Sequence, residues 1–441
     1  MKKIIQLCAV LLVLFTLGSC KKYLDIEPVG RVIPTTTEDF RALLTSAYNS
    51  FSEHKSLLAL RSDELKLNED QEDVILYRDI YKWNDATPDP STFSFQYVAL
   101  YNTIFFANEV IAEVENRAGK SAVTAQIKGE AYLLRAYNHF ELLNLYAKPY
   151  QASSAATDRG VVLVLKMDLE ANYKPATIEE VYSQILSDIN EGQKLLNINT
   201  FDTGKNYRFT TRGAWALKAR VHEFRGEWSK ALEAARQALQ LNNELEDLNA
   251  AGSKSPNHYQ AKESIMAMEK AMNVSVSNTV AISAHLLSIY DKDNDLRFAK
   301  YFSKSGNDYR SAKGASNEFK ISFRNGELYL IQAEAALQTG NPALATESLL
   351  ALKAKRLKPA YLAAEKSRIQ ALTNADLLQE IYKERERELA LEGHRWYDLR
   401  RYGQPAIKHT VGGADYNLIQ NDPRYTLPFP KAAITNNPNL Q

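Results

Sequence analysis

From Glu38 onward the apolar residues recur with the helical period of about 3.6, and that recurrence commits most of the chain to amphipathic helices. Ile104, Ala107, Ile111 and Val114 form one stripe. Leu133, Tyr137, Phe140 and Leu143 form a second, and Ile178, Val181, Ile185 and Ile189 a third. Each stripe is one apolar helix face that another element must cover. Against this pattern only "GVVLVLK" (Gly160–Lys166) has the β-branched run of a strand. The patterning predicts a mainly α protein with minor strand content.

Two stretches repeat one design. In "AWALKARVHEFRGEWSKALEAARQAL" (Ala214–Leu239), Trp215, Ala219, Gly226, Trp228, Ala231, Ala235 and Ala238 fall at tetratricopeptide-like spacings. In "ELYLIQAEAALQTGNPALATESLLAL" (Glu327–Leu352), Tyr329, Ala333, Gly340, Ala345, Leu349 and Leu352 take matching offsets, with Pro342 where the second tryptophan stood. Small alanines let two antiparallel helices approach, glycine permits the turn, and large residues lock the outer edge. The two copies are far apart in the chain, so they are not a tandem array. Looser pairs are expected from Ile127–Ala147 with Thr177–Leu196, and from Ala375–Leu391 with the stretch after Gly393. The expected architecture is about four interrupted tetratricopeptide-like helical pairs scaffolding irregular loops and minor strands.

The first 19 residues have a basic start (Lys2, Lys3), an apolar stretch from Ile4 to Leu17, then Gly18 and Ser19, which is the pattern of an export signal. Its apolar part is shorter than the roughly 17–25 residues of a comfortable bilayer span. Leu17-Gly18-Ser19-Cys20 resembles a bacterial lipobox, in which the thiol accepts a lipid before the chain is cut ahead of it. Cleavage would remove Cys8 and leave Cys20 alone, excluding internal disulfides. Loss of Lys2 and Lys3 would take the formal charge from +1 to about −1, which offers no nucleic-acid surface. "KKYLDIEPVGRVIPTT" (residues 21–36) contains Pro28, Gly30 and Pro34 and reads as an extended tether. The expected organisation is therefore a lipoprotein signal peptide (1–19), a lipidated tether (20–37), an N-terminal region of helical pairs (38–250), and a C-terminal region (251–441) packed with it as one unit.

"ERERELALEGHRWYDLRR" crowds Glu, His, Asp and Arg, but the helical spacing favours a structural role. Glu384 with Arg387, Arg385 with Glu388, and Glu392 with Arg395 are expected as exposed i,i+3 pairs worth tenths of a kcal/mol. Trp396, Tyr397 and Leu399 would supply apolar packing. The seven histidines show no paired metal spacing, and phosphate-loop and serine-hydrolase motifs are missing, so the sequence supports no cofactor, metal or catalytic residue. "DKDNDLRF" (Asp291–Phe298) spaces its acids like a calcium loop but lacks the central glycine and final glutamate. The preferred reading is a turn in which Asp295 and Arg297 pair, with surface calcium as the alternative.

Flat aromatic faces with polar groups beside them can hold a ligand that has both apolar faces and polar edges. Trp215 and Trp228 fall at repeat positions and Trp396 in the charged helix, which leaves Trp83 free. It lies in "LYRDIYKWNDATPDPSTFSFQY" with Tyr77, Tyr81, Asn84 and Phe93, where Pro88 and Pro90 break regular structure. These five are the candidate ligand contacts, because loops carry binding residues disproportionately. The alternative is that these aromatics cover the helical core beneath.

Six stretches, in order behind the lipobox, resemble the SusD/RagB family of lipid-anchored outer-membrane nutrient binders. They are "LYNTIFFANEVI", "IKGEAYLLRAYNHFELLNLYAKP", "GVVLVL" with "KPATIEEVYSQILSDINEGQKLL", the two repeat segments, and "IYKERERELALEGHRWYDLRRYG". The sequence departs from the family at Lys174, where arginine is usual, and at Phe95 and Tyr97, where a tryptophan is common. The resemblance implies a SusD-like fold without enzymatic activity, tethered at the cell surface through Cys20. It further implies capture of an oligosaccharide and its delivery to a SusC-like TonB-dependent transporter. The alternatives are the same architecture binding peptides or another nutrient, and a helical-repeat scaffold for a protein partner.

Overall fold

The computed structural model describes residues 33–168 and 173–441. The export segment, Cys20 and most of the expected tether lie outside the described residues. Thr36 caps the first described helix, α1 (Thr37–Asn49): its hydroxyl accepts from the Asp39 amide, and the Asp39 carboxylate accepts from the Thr36 amide at 2.9 Å. The helical body thus begins at the last position of the predicted tether. Helix α2 (Lys55–Arg61) follows.

The three apolar stripes become α3 (Tyr97–Ala118), α4 (Ala122–Tyr146) and α5 (Ile178–Leu195). All their residues are buried except Ile111, which is half-buried. Contacts that rise along α4 while falling along α5 show the two helices to be antiparallel. A Cβ on Gly129 would sit 3.1 Å from the Gly192 carbonyl oxygen, and one on Gly192 would sit 3.0 Å from that of Gly129. Glycine at both positions allows the close approach. Nearly two turns further along α4, Arg135 joins three helices, donating to Asp188 at 2.8 and 2.7 Å and to the Asn108 side chain at 2.8 Å.

The expected strand is shorter than the apolar run. Arg159–Val162 pairs antiparallel with Pro175–Thr177. Beyond Val162, side chains take over the backbone acceptors: Asn108 donates to the Val164 carbonyl at 3.0 Å, and Arg135 to that of Leu165 at 3.2 Å. The described residues form five two-stranded sheets, all antiparallel. The last joins Ile407–Val411 to Ala414–Leu418 through Gly412 and Gly413, whose φ values of 60° and 76° suit a tight hairpin turn.

The repeat segments fold as α6 (Thr211–Phe224) with α7 (Trp228–Leu241), and α8 (Asn325–Gln338) with α9 (Pro342–Lys353). Helix α7 packs on α8, so copies remote in sequence are neighbours in space. Helix α10 (Asn374–Glu388) packs on α8, and the short α11 (Arg395–Arg401) follows it. The protein is mainly α, with residues 36–441 in one packed unit.

The charged helix is where expectation and structure part. Glu384 does meet Arg387 at 3.0 Å, but the Glu384 side chain has no exposure. The other two i,i+3 pairs do not form. Arg385 reaches Asp398 at 2.8 Å, and Glu388 sits among Arg297, Arg324 and Arg356 at 2.9, 2.5 and 2.8 Å. Glu392 meets Lys313 and Arg324 at 2.5 and 2.9 Å, while Arg395 meets Asp63 and Glu386 at 2.7 and 3.1 Å. Burial alone would raise the Glu388 carboxyl, yet Arg356 and Arg324 hold it well below the usual range. These partners come from remote segments, which helical spacing cannot encode. Trp396, Tyr397 and Leu399 pack in the core as expected. Asp295 and Arg297 pair at 2.7 Å, and Asp291 accepts from the Asp293 and Asn294 amides at 3.1 Å, which makes this stretch a turn.

Candidate ligand-binding cleft

The segment between α2 and α3 carries the five side chains singled out from the sequence. Tyr77 and Trp83 are each 1% exposed and Tyr81 is 4% exposed. Trp83 adopts a left-handed φ of 54°, and its indole Nε1 donates to the Arg61 carbonyl at 3.0 Å. Tyr81 and Trp83 both stack on His409, with ring centroids 3.8 and 4.2 Å away. These three rings belong to the core, which corrects the expectation that they form an open platform. Phe93 is 49% exposed, but it lies flat against Tyr77 at 5.4 Å. Of the five, Asn84 and the buried Trp83 border the cleft described next; Tyr77, Tyr81 and Phe93 do not.

That cleft has a volume of about 1270 Å³, above the roughly 300–1,000 Å³ of a drug-sized pocket. Its walls come from residues 82–86, the end of α4 and the loop after it, the α6–α7 turn, Tyr382 of α10, the end of α11 and the C-terminal segment 416–428. Gly226, at φ +67°, closes the α6–α7 turn and sets Trp228 at the start of α7. Tyr150, Phe224, Trp228, Tyr382 and Tyr416 line the cleft and are half-buried, so each keeps part of its ring accessible. Cations brace several rings: Arg225 lies over Tyr150 at 4.5 Å and Lys82 over Tyr416 at 5.1 Å. Tyr382 stacks on Tyr402 at 3.8 Å. The sequence reading missed these rings because it assigned Trp228 to packing within the repeat and gave the tyrosines no separate signal.

Three of the carboxylates along the cleft are held by guanidinium groups, and the fourth, Glu223, is buried with its Oε2 unpaired. Asp85 accepts from Arg61 at 2.7 and 2.9 Å, Asp422 from Arg424 at 2.9 and 2.7 Å, and Glu334 from Arg401 at 2.7 and 2.8 Å. The Glu223 side chain has no exposure, and burial pushes its carboxyl up to about 8. Arg400 differs from the other cleft arginines. It donates to the Asn144 and Ala147 carbonyls at the end of α4, and it has no carboxylate partner among the described residues. Burial lowers its guanidinium to about 10.

Elsewhere, Asp63, His285 and Glu386 bring ligand-type atoms within 4.8 Å of one another, from segments whose spacing gave no metal signal. Arg395 already supplies a cation there, donating to Asp63 at 2.8 and 2.7 Å and lying 3.1 Å from Glu386. A second, apolar groove of about 640 Å³ runs beside the start of α3, past Phe95, Val98, Tyr101 and Val164.

Comparison with known proteins places this architecture. Residues 22–222 match a SusD-like family model described as "Starch-binding associating with outer membrane", and residues 284–441 match the SusD family model. SusD-like protein P38 of Formosa agariphila is 25% identical, over 91% of this chain and 92% of its own. A SusD superfamily protein from Bacteroides thetaiotaomicron superposes with a TM-score of 0.75 at 21% identity, covering 92% of this chain and 98% of that one. A SusD-like carbohydrate binding protein from Bacteroides vulgatus gives a TM-score of 0.73 at 18% identity, covering 92% and 97%. With both family models matched in order along the chain, over residues 22–222 and 284–441, the chain belongs to the SusD/RagB family.

Proposed function

We propose that the protein is a non-enzymatic surface binder that captures an oligosaccharide in the large cleft and passes it to a SusC-like TonB-dependent transporter in the outer membrane. The observation that carries this reading is the cleft itself: about 1270 Å³, walled by half-buried rings with polar groups between them. Sugar rings present flat C–H faces with hydroxyl edges, and such a wall buries the faces while leaving the edges satisfied. Family membership and the carbohydrate binding protein among its structural neighbours support the ligand class.

The carboxylates support retention rather than bond cleavage. A glycosidase needs two carboxyl groups free to act on the bond between them. Here Asp85, Asp422 and Glu334 are clamped by guanidinium groups and Glu223 has no exposure. Cys20 is the lipid attachment point in this reading, and the tether holds the binder near its transporter, raising the local concentration of captured ligand. No described helix is long and apolar enough to cross a membrane, which accords with a lipid anchor.

Two measurements test the reading. Labelled fatty acid should be incorporated by the wild-type protein and not by Cys20→Ala. Titration of the mature chain with an oligosaccharide panel should show binding that Trp228→Ala weakens about tenfold, the effect of losing one stacked ring. Absence of binding by every saccharide, or turnover of one, contradicts the proposal.

A further inference from the structure

The hydrogen-bonding capacity of the cleft is unevenly divided between donors and acceptors. Each carboxylate that could accept from a sugar hydroxyl is taken: Asp85 by Arg61, Asp422 by Arg424, and Glu334 by Arg401, each through two guanidinium nitrogens. Cationic donors, by contrast, keep exposed faces on the same cleft. The Lys148 side chain is 71% exposed, with one ion-pair contact to Asp158 at 3.1 Å. The Arg424 side chain is 40% exposed, and its side-chain hydrogen bonds engage Nε and Nη2. Arg400, which also lines the cleft and is 3% exposed, holds a guanidinium with no carboxylate partner among the described residues and with Nε unpaired. Neutral sugar hydroxyls both donate and accept, so a site for neutral glycans gains from free carboxylates as well as donors. A wall whose accessible carboxylates are each charge-paired with a guanidinium, whose remaining carboxylate (Glu223) has no exposure, and whose accessible unclamped ions are cations is matched to a ligand rich in acceptors.

We propose that the cleft prefers acidic oligosaccharides, those bearing carboxylate or sulfate groups, over neutral ones. Half-buried rings such as Trp228 and Tyr382 would take the sugar faces, while Lys148 and Arg424 at the exposed part of the wall meet the anionic substituents. Arg400, whose guanidinium charge no carboxylate offsets, adds a positive field. A carboxylate or sulfate gains charge-assisted hydrogen bonds from these groups, which are about twice as strong as those of a neutral hydroxyl. This inference rests on the proposed function and names the ligand class of the same site.

Calorimetric titration of the mature chain with three hexasaccharides tests it: one of uronates, one of sulfated galactose and one of neutral glucose. At least one acidic probe should bind at least about tenfold more tightly than the neutral probe, and its affinity should fall steeply as salt rises to about 0.5 M. The uronate and sulfate arms show which anion is preferred. Lys148→Glu and Arg424→Gln, each checked for an unchanged melting temperature, should narrow the acidic-over-neutral preference about fivefold. If the neutral hexasaccharide binds as tightly as both acidic ones and Trp228→Ala abolishes that binding, the ligand class is overturned while the capture function stands. If acidic binding ignores Lys148→Glu, Arg424→Gln and Trp228→Ala alike, the assignment to this cleft is overturned. If none of the three binds, both this inference and the capture function fall.

Discussion

The aromatic segment between α2 and α3 and the wall of the cleft face opposite ways, and both run against local expectation. Tyr77, Tyr81 and Trp83 lie in irregular, turn-rich chain that composition marks as a surface platform, yet they are core residues. Trp228 and Tyr382 lie on regular helices, Trp228 at a position that the repeat spacing assigns to packing, yet both are only half covered. The difference lies in the next layer out. The C-terminal hairpin lays His409 against Tyr81 and Trp83, whereas the α6–α7 turn borders the cleft, which leaves Trp228 half covered. Secondary structure sets where a ring starts, and the covering element sets whether a ligand can reach it.

The sharpest way to break this contrast is to truncate one ring from each group. Trp83→Ala should cost about 3–5 kcal/mol of stability by chemical denaturation, the range for a large buried aromatic. A loss under about 1 kcal/mol would return Trp83 to the surface. The charges offer the same contrast at similar size. Glu388→Ala removes the one carboxylate that Arg297, Arg324 and Arg356 share, leaves Arg356 with Glu263 alone, and should cost about 3–5 kcal/mol. Lys148→Ala removes an exposed pair and should cost about 0–1 kcal/mol. Comparable losses at the two sites would erase the distinction between an inner and an outer set of charges.

A smaller, pH-dependent effect belongs to the inner set. Glu64 is buried and accepts from the Leu391 amide at 2.7 Å, and burial pushes its carboxyl up to about 8. Its folded value therefore lies above the unfolded one of about 4.3. The native state holds a proton that the unfolded chain releases, so this contribution is full below about pH 4 and is lost as pH rises toward 8. Glu64→Gln keeps the acceptor and removes the titration. Melting temperatures at pH 5 and pH 8.5 should lie closer together in the variant than in the wild type, and an unchanged gap would show that Glu64 is ionised in the fold.

The helices were legible because periodicity is a local property. All three apolar stripes, the two repeat segments and the Asp295–Arg297 turn form where the sequence places them. The strand was half legible, since nothing in "GVVLVLK" announces that Asn108 and Arg135 will claim its carbonyls. The ion network was read with the wrong partners: i,i+3 spacing names neighbours on one helix, while Glu388 is satisfied by Arg297, Arg324 and Arg356 from three other segments. The cleft was missed for the same reason. Its walls come from segments far apart in the chain, and a left-handed φ at Trp83 leaves no mark in composition.

The smallest of these effects concerns the outward rings. Trp228→Ala and Tyr382→Ala should each leave most of the stability intact while weakening saccharide binding about tenfold. A structure of the mature chain saturated with the tightest-binding of the three hexasaccharides tests the account most directly. It should show a sugar ring lying flat on Trp228 or Tyr382, with an acidic substituent near Lys148 or Arg424. A sugar bound instead on the Tyr77–Phe93 segment, with the cleft left open, would contradict it.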